Sequence, residues 1–242
     1  MKSESLLKVL TGAGAGSRRK IADAIRRDRV AVNGQVVTDF RYPVNTETDR
    51  IAIEGKPVDI KPKQIVTLIL NKPPGIISTV SDERGRQTVI DILPEKYRQL
   101  RLYPVGRLDK DSTGLLLLTN DGELAYRLTH PRFEYEKEYL VYIKGNLRPN
   151  EKRKLEQGLK LEDGMTHPAK VRKVTSAPPF NYSITTHEGR KRQVRRMFDS
   201  LGHRVLALKR IRIGNLNLDN LAEGKTRKLS AQEVSALLNQ SR

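Results

Sequence analysis

Residues 103–122 read YPVGRLDKDSTGLLLLTNDG, and the fold turns on how this stretch divides. Tyr103, Pro104, Val105 and Gly106 end one extended segment. Arg107 to Gly114 make a short polar loop that carries Asp109, Lys110 and Asp111. Leu115 to Leu118 read as a strand buried on both faces, stopped by the turn signal Asn120-Asp121-Gly122. A carboxylate-rich loop braced by a core strand suits chemistry, because the loop supplies reactive groups and the strand holds them still. An ordinary connection with solvated charges fits the stretch equally well. The rest of the chain has to decide.

Downstream, GELAYRLTHP (122–131) predicts a helix that starts after Asp121 and ends before Pro131. KEYLVYIKG (137–145) alternates as a strand. RPNEKRKLEQGLK (148–160) predicts a polar helix opening at Pro149. MTHPAKVRKVT (165–175) and FNYSITTHEG (180–189) read as strands. RKRQVRRMFDSLGH (190–203) predicts a helix with the stripe Val194, Met197, Phe198 and Leu201. RVLALKRIRIGNLNL (204–218) reads as a strand, a basic turn and a second strand. KLSAQEVSALLN (228–239) is a helix with Ser230 and Glu233 in a capping box. Upstream, IVTLILNKPPGIISTVSD (65–82) reads as a strand from Val66 to Leu70, a rigid turn over Asn71 to Gly75, and a new extended piece from Ile76. RQTVIDILP (86–94) predicts a short helix capped by Thr88. Strands and helices are interspersed without a βα repeat. The predicted class is therefore α+β, with a mixed, largely antiparallel sheet flanked by helices.

Residues 1–62 form a separate, helix-rich unit. Leu6, Leu7 and Leu10 mark one helix, GAGAG (12–16) breaks it, and Ser17 caps a second helix with the stripe Ile21, Ala22, Ala24 and Ile25. Val30-Ala-Val32, the turn Asn33-Gly34, and Val36-Val37 make a hairpin. RIAIEG (50–55) and KPVDI (56–60) close the unit. GAGAG lacks the GxGxxG spacing and follows a helix, so a dinucleotide loop is rejected. KPKQ (61–64) is the predicted linker, and Pro62 supports a boundary that leaves 63–242 as the second domain.

The 242 residues carry a formal net charge of +18, which points to a polyanion, with nucleic acid ahead of a membrane surface. The excess is spread over both units: 12 Lys or Arg against 8 acids in residues 1–62, and 34 against 20 thereafter. No apolar run approaches the ~20 residues needed to span a bilayer. MKSESLLKVL has no signal-peptide pattern, and with no cysteine the default compartment is the cytoplasm. The absence of cysteine removes thiolate zinc sites, and His130, His167, His187 and His203 are scattered outside any metal-ligand spacing.

Three constellations carry chemistry. Asp109 lies beside Arg107 and Lys110, with Asp111 near. Tyr139 sits on the KEYLV strand. Between residues 190 and 212 there are nine Lys or Arg against one acid, Asp199, a density that calls for a shared anion such as phosphate. The apolar stripe through Val194, Met197 and Phe198 ties that run into a packed helix.

LLKVLTGAGAGSRRKIADAIRRDRVAVNGQVV, with SRR at 17–19 and RVAVNG at 29–34, resembles the RNA-binding domain named after ribosomal protein S-four. NKPPGIISTVSD, YPVGRLDKDSTGLLLLTNDG, KEYLV, EGRKRQVRRMF and LGHRVLALKRIRIG together resemble RNA pseudouridine synthases of the RsuA/RluB branch. The resemblance covers nearly the whole chain. It implies isomerisation of a uridine in ribosomal RNA, with no cofactor and no metal. It implies that Asp109 is the nucleophile that detaches the base, by attack on the sugar C1′, by attack on the pyrimidine, or through a glycal. It implies that Tyr139 stacks on the flipped base or handles a proton, and that Arg195 ion-pairs with Asp109. A buried carboxylate needs such a counter-charge to stay ionised. Arg107 and Lys110, with Arg18, Arg19, Lys20, Arg190, Lys191, Arg192, Arg196, Lys209 and Arg210, are the expected RNA contacts.

Asp111 matches a variable position of the pattern, and Asp121 reads as the cap of the next helix. NKPPGIISTVSDERGRQTVIDILP is more similar to the enzymes acting on large-subunit (23S) RNA than to those acting on small-subunit (16S) RNA. The expected partner is ribosomal RNA or a pre-ribosomal particle, and the expected state is a monomer. A non-catalytic RNA-binding assembly factor is the alternative from another class. Intact GRLD, Tyr139 and QVR argue against it.

Overall fold

The structure, a computed structural model, describes residues 3–61 and 64–239. The chain forms two compact units, Met1–Ile65 and Val66–Arg242. Two residues of the expected linker, Pro62 and Lys63, lie outside the described residues. No helix among the described residues is long and apolar enough to cross a membrane.

In the first unit, α1 (Leu6–Gly12) and α2 (Arg18–Arg26) pack on a four-stranded antiparallel sheet. Its strands are β1 (Val30–Val32), β2 (Gln35–Val36), β3 (Ile51–Ile53) and β4 (Lys56–Val58), in the order β2-β1-β3-β4. Ser17 caps α2 by accepting a hydrogen bond from the Lys20 N–H at 3.2 Å, as its position predicts. Ile21 and Ile25 face the core, which leaves Arg18, Arg19 and Lys20 exposed. Asn33 and Gly34 both have positive φ (51° and 84°), the geometry an Asn-Gly hairpin turn requires.

The second unit is organised on one mixed sheet. Its main path runs β9 (Lys170–Lys173), β10 (Tyr182–Thr186), β8 (Lys137–Ile143), β11 (Val205–Ile213), β7 (Thr113–Thr119), β5 (Thr67–Lys72) and β12 (Thr226–Lys228). A further strand, β6 (Tyr103–Val105), pairs with β7. All these pairings are antiparallel except β7–β11, where Lys209 lies opposite Thr113 and Arg210 opposite Gly114. Leu115–Leu118 are completely buried in β7. Leu116 and Leu118 join one core with Leu68, Leu70, Val141 and Phe198, while Leu115 and Leu117 join another with Ile69, Leu124 and Ile213. Four successive leucines fit a strand covered on both faces. Helix α3 (Gly122–Thr129) starts at Asp121, whose carboxylate accepts from the Glu123 and Leu124 N–H groups. It ends before Pro131, as expected. Helices α4 (Pro149–Gln157), α5 (Gln193–Asp199) and α6 (Ala231–Leu238) complete the unit, and Ser230 and Glu233 form the predicted capping box.

Several local expectations need correction. Residues 88–93 form a turn, not a helix. The Asp91 carboxylate folds back to accept from the Thr88 N–H and hydroxyl, and Pro94 blocks continuation. A single helical turn follows at Glu95–Arg98. From Ile76 no strand forms; Ile77 makes only an isolated bridge to Thr88. Residues 205–213 are one continuous strand with no basic turn inside it. Lys209 and Arg210 sit in the ladder between Leu140 and Tyr139 on one side and Thr113 and Gly114 on the other. The helix expected from Arg190 starts at Gln193, because Arg192 takes a left-handed conformation (φ 51°). Lys72 belongs to the end of β5 and is fully buried.

Candidate active site

The loop carrying Asp109 is fixed from below by side chains of the NKPPGIIS segment. Ser78 Oγ donates to the Leu108 carbonyl at 2.9 Å and accepts from the Leu108 N–H at 3.1 Å. The Lys72 ammonium donates to the carbonyls of Pro73 (2.9 Å), Lys110 (3.3 Å) and Ser112 (2.8 Å). The Gly75 N–H also donates to the Lys110 carbonyl, at 2.8 Å. Burial pulls the Lys72 ammonium down to about 8, against the opposing charges of Asp111, Asp109 and Glu223. Lys72 therefore ties Pro73 to the carbonyls on either side of Asp111, just beyond Asp109 in the loop. Sequence reasoning missed it, although a lysine closing an apolar strand was a visible signal.

Asp109 lines a cavity of about 470 Å³, which Tyr139, Lys137, Arg107, Arg192 and Arg210 also line. Its side chain is 29% exposed, and that of Asp111, outside the cavity lining, is 53% exposed. Tyr139 is buried in β8, with Ile184 and Arg210 as its ladder partners on either side. The space is within the size range of small-ligand pockets, so one nucleoside can enter it.

The guanidinium groups around Asp109 are arranged differently from the expected single pair. Arg195 is buried in α5 and bonded to the Val205 carbonyl (2.9 Å) and Ser112 Oγ (3.3 Å). Its Nη2 lies 3.1 Å from Asp111 Oδ2, whereas its Nε lies 3.9 Å from Asp109 Oδ2. That Nε is buried and has no hydrogen-bond partner, so a small shift of Asp109 would satisfy it. Arg192, which the sequence offered only as an RNA contact, is closer to Asp109 at 3.6 Å and also reaches Asp111 at 3.4 Å. Its left-handed backbone, uncommon outside glycine, aims it there.

The expected RNA contacts divide into two groups. Arg18, Arg19, Lys20, Arg107, Lys110, Lys191 and Arg192 are exposed, and Lys209 is partly so. Arg190 is instead committed internally, to the Glu188 carboxylate and the carbonyls of Asp163, Gly164 and Met165. Arg196 is bonded to Asp163 at 2.8 Å. Arg210 is 3% exposed, with its Nε donating to the Leu115 carbonyl at 2.8 Å, so it is no surface residue.

Comparison with known proteins bears on the whole chain. The family model described as RNA pseudouridylate synthase matches residues 66–200, and that of the S4 domain matches residues 5–51. The chain is 45% identical to a Bacillus subtilis protein named ribosomal large subunit pseudouridine synthase B, over 97% of this chain and 95% of that one. It is 41% identical to an uncharacterised RNA pseudouridine synthase of Aquifex aeolicus, over 95% and 92% of the two chains. A crystal structure of a pseudouridylate synthase, 33% identical, matches with a TM-score of 0.69 over 97% of this chain and all of that one.

Proposed function

The chain belongs to the RNA pseudouridylate synthase family, and from that premise we propose that it isomerises one uridine of large-subunit ribosomal RNA to pseudouridine in the cytoplasm, acting as a monomer. The observation that carries the reading is Asp109 in a nucleoside-sized cavity with Tyr139 beside a basic rim. The target base leaves its stack, at a cost of a few kcal/mol, and enters the cavity. Asp109 acts as the nucleophile and Tyr139 supplies the apolar face against which the base rests. Arg192 and Arg195 place positive charge beside the Asp109 carboxylate. The C1′–N1 bond breaks, the base turns, and a C1′–C5 bond forms. The proton lost from C5 is balanced by one gained at N1. Residues 63–242 perform this chemistry, and residues 1–62 hold the RNA.

The test is pseudouridine mapping of ribosomal RNA from a strain lacking the gene. One 23S uridine is expected to stay unmodified and to be restored by the wild-type gene. A missing site in 16S RNA instead would move the assignment to the small subunit, and an unchanged map would remove the ribosomal assignment.

The N-terminal platform has its own expected result. Replacing Arg18, Arg19 and Lys20 together by alanine removes three exposed cations. If all three meet phosphates, the slope of log affinity against log salt falls by about 2–3, with the single-turnover rate on bound RNA unchanged. An unaltered slope, measured by RNA binding across a salt series, would remove this face from the interface.

A further inference from the structure

Two cations in the cavity wall, Lys137 and Arg210, have no counter-ion among the described residues. Lys137 donates to the carbonyls of Tyr135 (3.1 Å) and His187 (3.3 Å), which leaves one of its three N–H bonds without a protein acceptor. Arg210 donates through Nε to Leu115, and its buried Nη2 has no partner. Of the carboxylates lining the cavity, Asp109 is engaged with Arg192 and Arg195, and Glu188 with Arg190, Gln193 and the His167 N–H, while Glu134 is exposed and forms no ion pair with Lys137 or Arg210. Burial draws the Lys137 ammonium down to about 8, the charge of Arg210 acts in the same direction, and no carboxylate opposes them. Lys72 differs in kind, since the charges of three carboxylates act against its burial. A buried charge without a partner is costly, and such a cost is retained where a ligand supplies the missing charge. Lys137 and Arg210 are also placed together: Arg210 is the β11 partner of Tyr139, and Lys137 lies two residues before Tyr139, across a register shift.

We propose that Lys137 and Arg210 bind a carbonyl oxygen of the flipped uracil and hold the negative charge the ring takes up when its bond to the sugar is attacked. The inference rests on the reading that the target uridine enters this cavity. Phosphates are met by the exposed Arg107, Lys110 and Arg192 at the rim, while the buried Arg210 and the half-buried Lys137 meet the part of the nucleotide that goes inside, the base. The charge appears on each available route. If the C1′–N1 pair leaves with uracil, the ring becomes an anion delocalised onto its carbonyl oxygens. If Asp109 adds to C6 of the pyrimidine, the electrons of the ring double bond move to one of these oxygens, O4. When C1′–C5 has formed, loss of the C5 proton and protonation of N1 restore a neutral ring. Fixed cations aimed at developing charge are among the strongest contributors to catalysis.

The test compares full-length wild type, Lys137→Met and Lys137→Arg on ribosomal RNA from a strain lacking the gene, under single-turnover conditions. Lys137→Met is expected to lose about 10²-fold or more in rate while binding RNA within threefold of wild type. Lys137→Arg is expected to recover at least a tenth of the wild-type rate, because it keeps the charge. The melting temperature of Lys137→Met is expected to equal or exceed that of wild type, since a half-buried charge without a counter-ion is gone. A structural lysine would give the opposite shift. A wild-type rate in Lys137→Met overturns the proposal, as does a loss confined to RNA affinity and salt slope, which would mark a phosphate contact. No pseudouridine with wild-type enzyme overturns both this proposal and the functional reading beneath it.

Discussion

Gly114→Ala is expected to destabilise the second unit by about 4 kcal/mol or more, at the upper end of single-residue effects. Gly114 has φ +101°, and a Cβ there would lie 2.2 Å from the Arg210 carbonyl oxygen and 2.8 Å from its nitrogen. Both are backbone atoms of the β7–β11 junction, the one parallel pairing in the path, so no side chain can rotate away. The ladder must open, and opening it separates the loop that carries Asp109 from the strand that carries Arg210. Gly106→Ala is the matched control. It also has positive φ (+75°), but its nearest neighbour is a Thr129 methyl at 3.7 Å. It is expected to cost only the backbone strain, about 1–2 kcal/mol. Thermal unfolding reads the difference: a domain of this size loses about 2–4 °C per kcal/mol. Equal melting temperatures for the two variants would mean that the close strand contact at Gly114 does not constrain the fold.

The leucine strand, the helix caps and the Asn-Gly hairpin were legible because each is a local signal read within a few residues. Ser17, Asp121, Ser230 and Glu233 act where their spacing places them. The continuous strand β11 was not legible, because Lys209 and Arg210 look like turn residues until non-local partners on β7 and β8 are known. The role of Lys72 was hidden for a related reason. Its acceptors are carbonyls at 110 and 112, and nothing in the local pattern links them to NKPPG. In the candidate site, Asp109, Tyr139 and Arg195 could be picked out by resemblance, but the division of Arg195 and Arg192 between two carboxylates could not. It depends on the left-handed turn at Arg192, a conformation that an arginine does not announce. Pairs of positive charges with no counter-ion, such as Lys137 and Arg210, emerge only once burial is known.

That division of the arginines makes the choice between the two carboxylates a matter for experiment, and Asp109→Asn is expected to abolish isomerisation. Asn keeps the shape but cannot attack carbon, so the rate is expected to fall by at least about 10⁴-fold, as for other removed nucleophiles. Asp111 makes the shorter ion pair with Arg195, 3.1 Å against 3.9 Å, yet it is the more exposed of the two and does not line the cavity. A nucleophile must face the bound ribose, and a carboxylate held tightly by a guanidinium is the poorer nucleophile. Asp111→Asn is therefore expected to cost far less, about 10-fold, through a looser Arg195. RNA binding separates chemistry from recognition. Removing a negative charge beside a polyanion leaves affinity unchanged or slightly tighter, so Asp109→Asn is expected to bind ribosomal RNA within a few-fold of wild type. Folding is expected to hold, because Arg195 retains Val205, Ser112 and Asp111. Pseudouridine formation by Asp109→Asn at a measurable fraction of the wild-type rate would exclude Asp109 as the nucleophile. If Asp111→Asn were then the inactive variant, the longer contact from Arg195 would belong to the bystander and the shorter one to the reacting group.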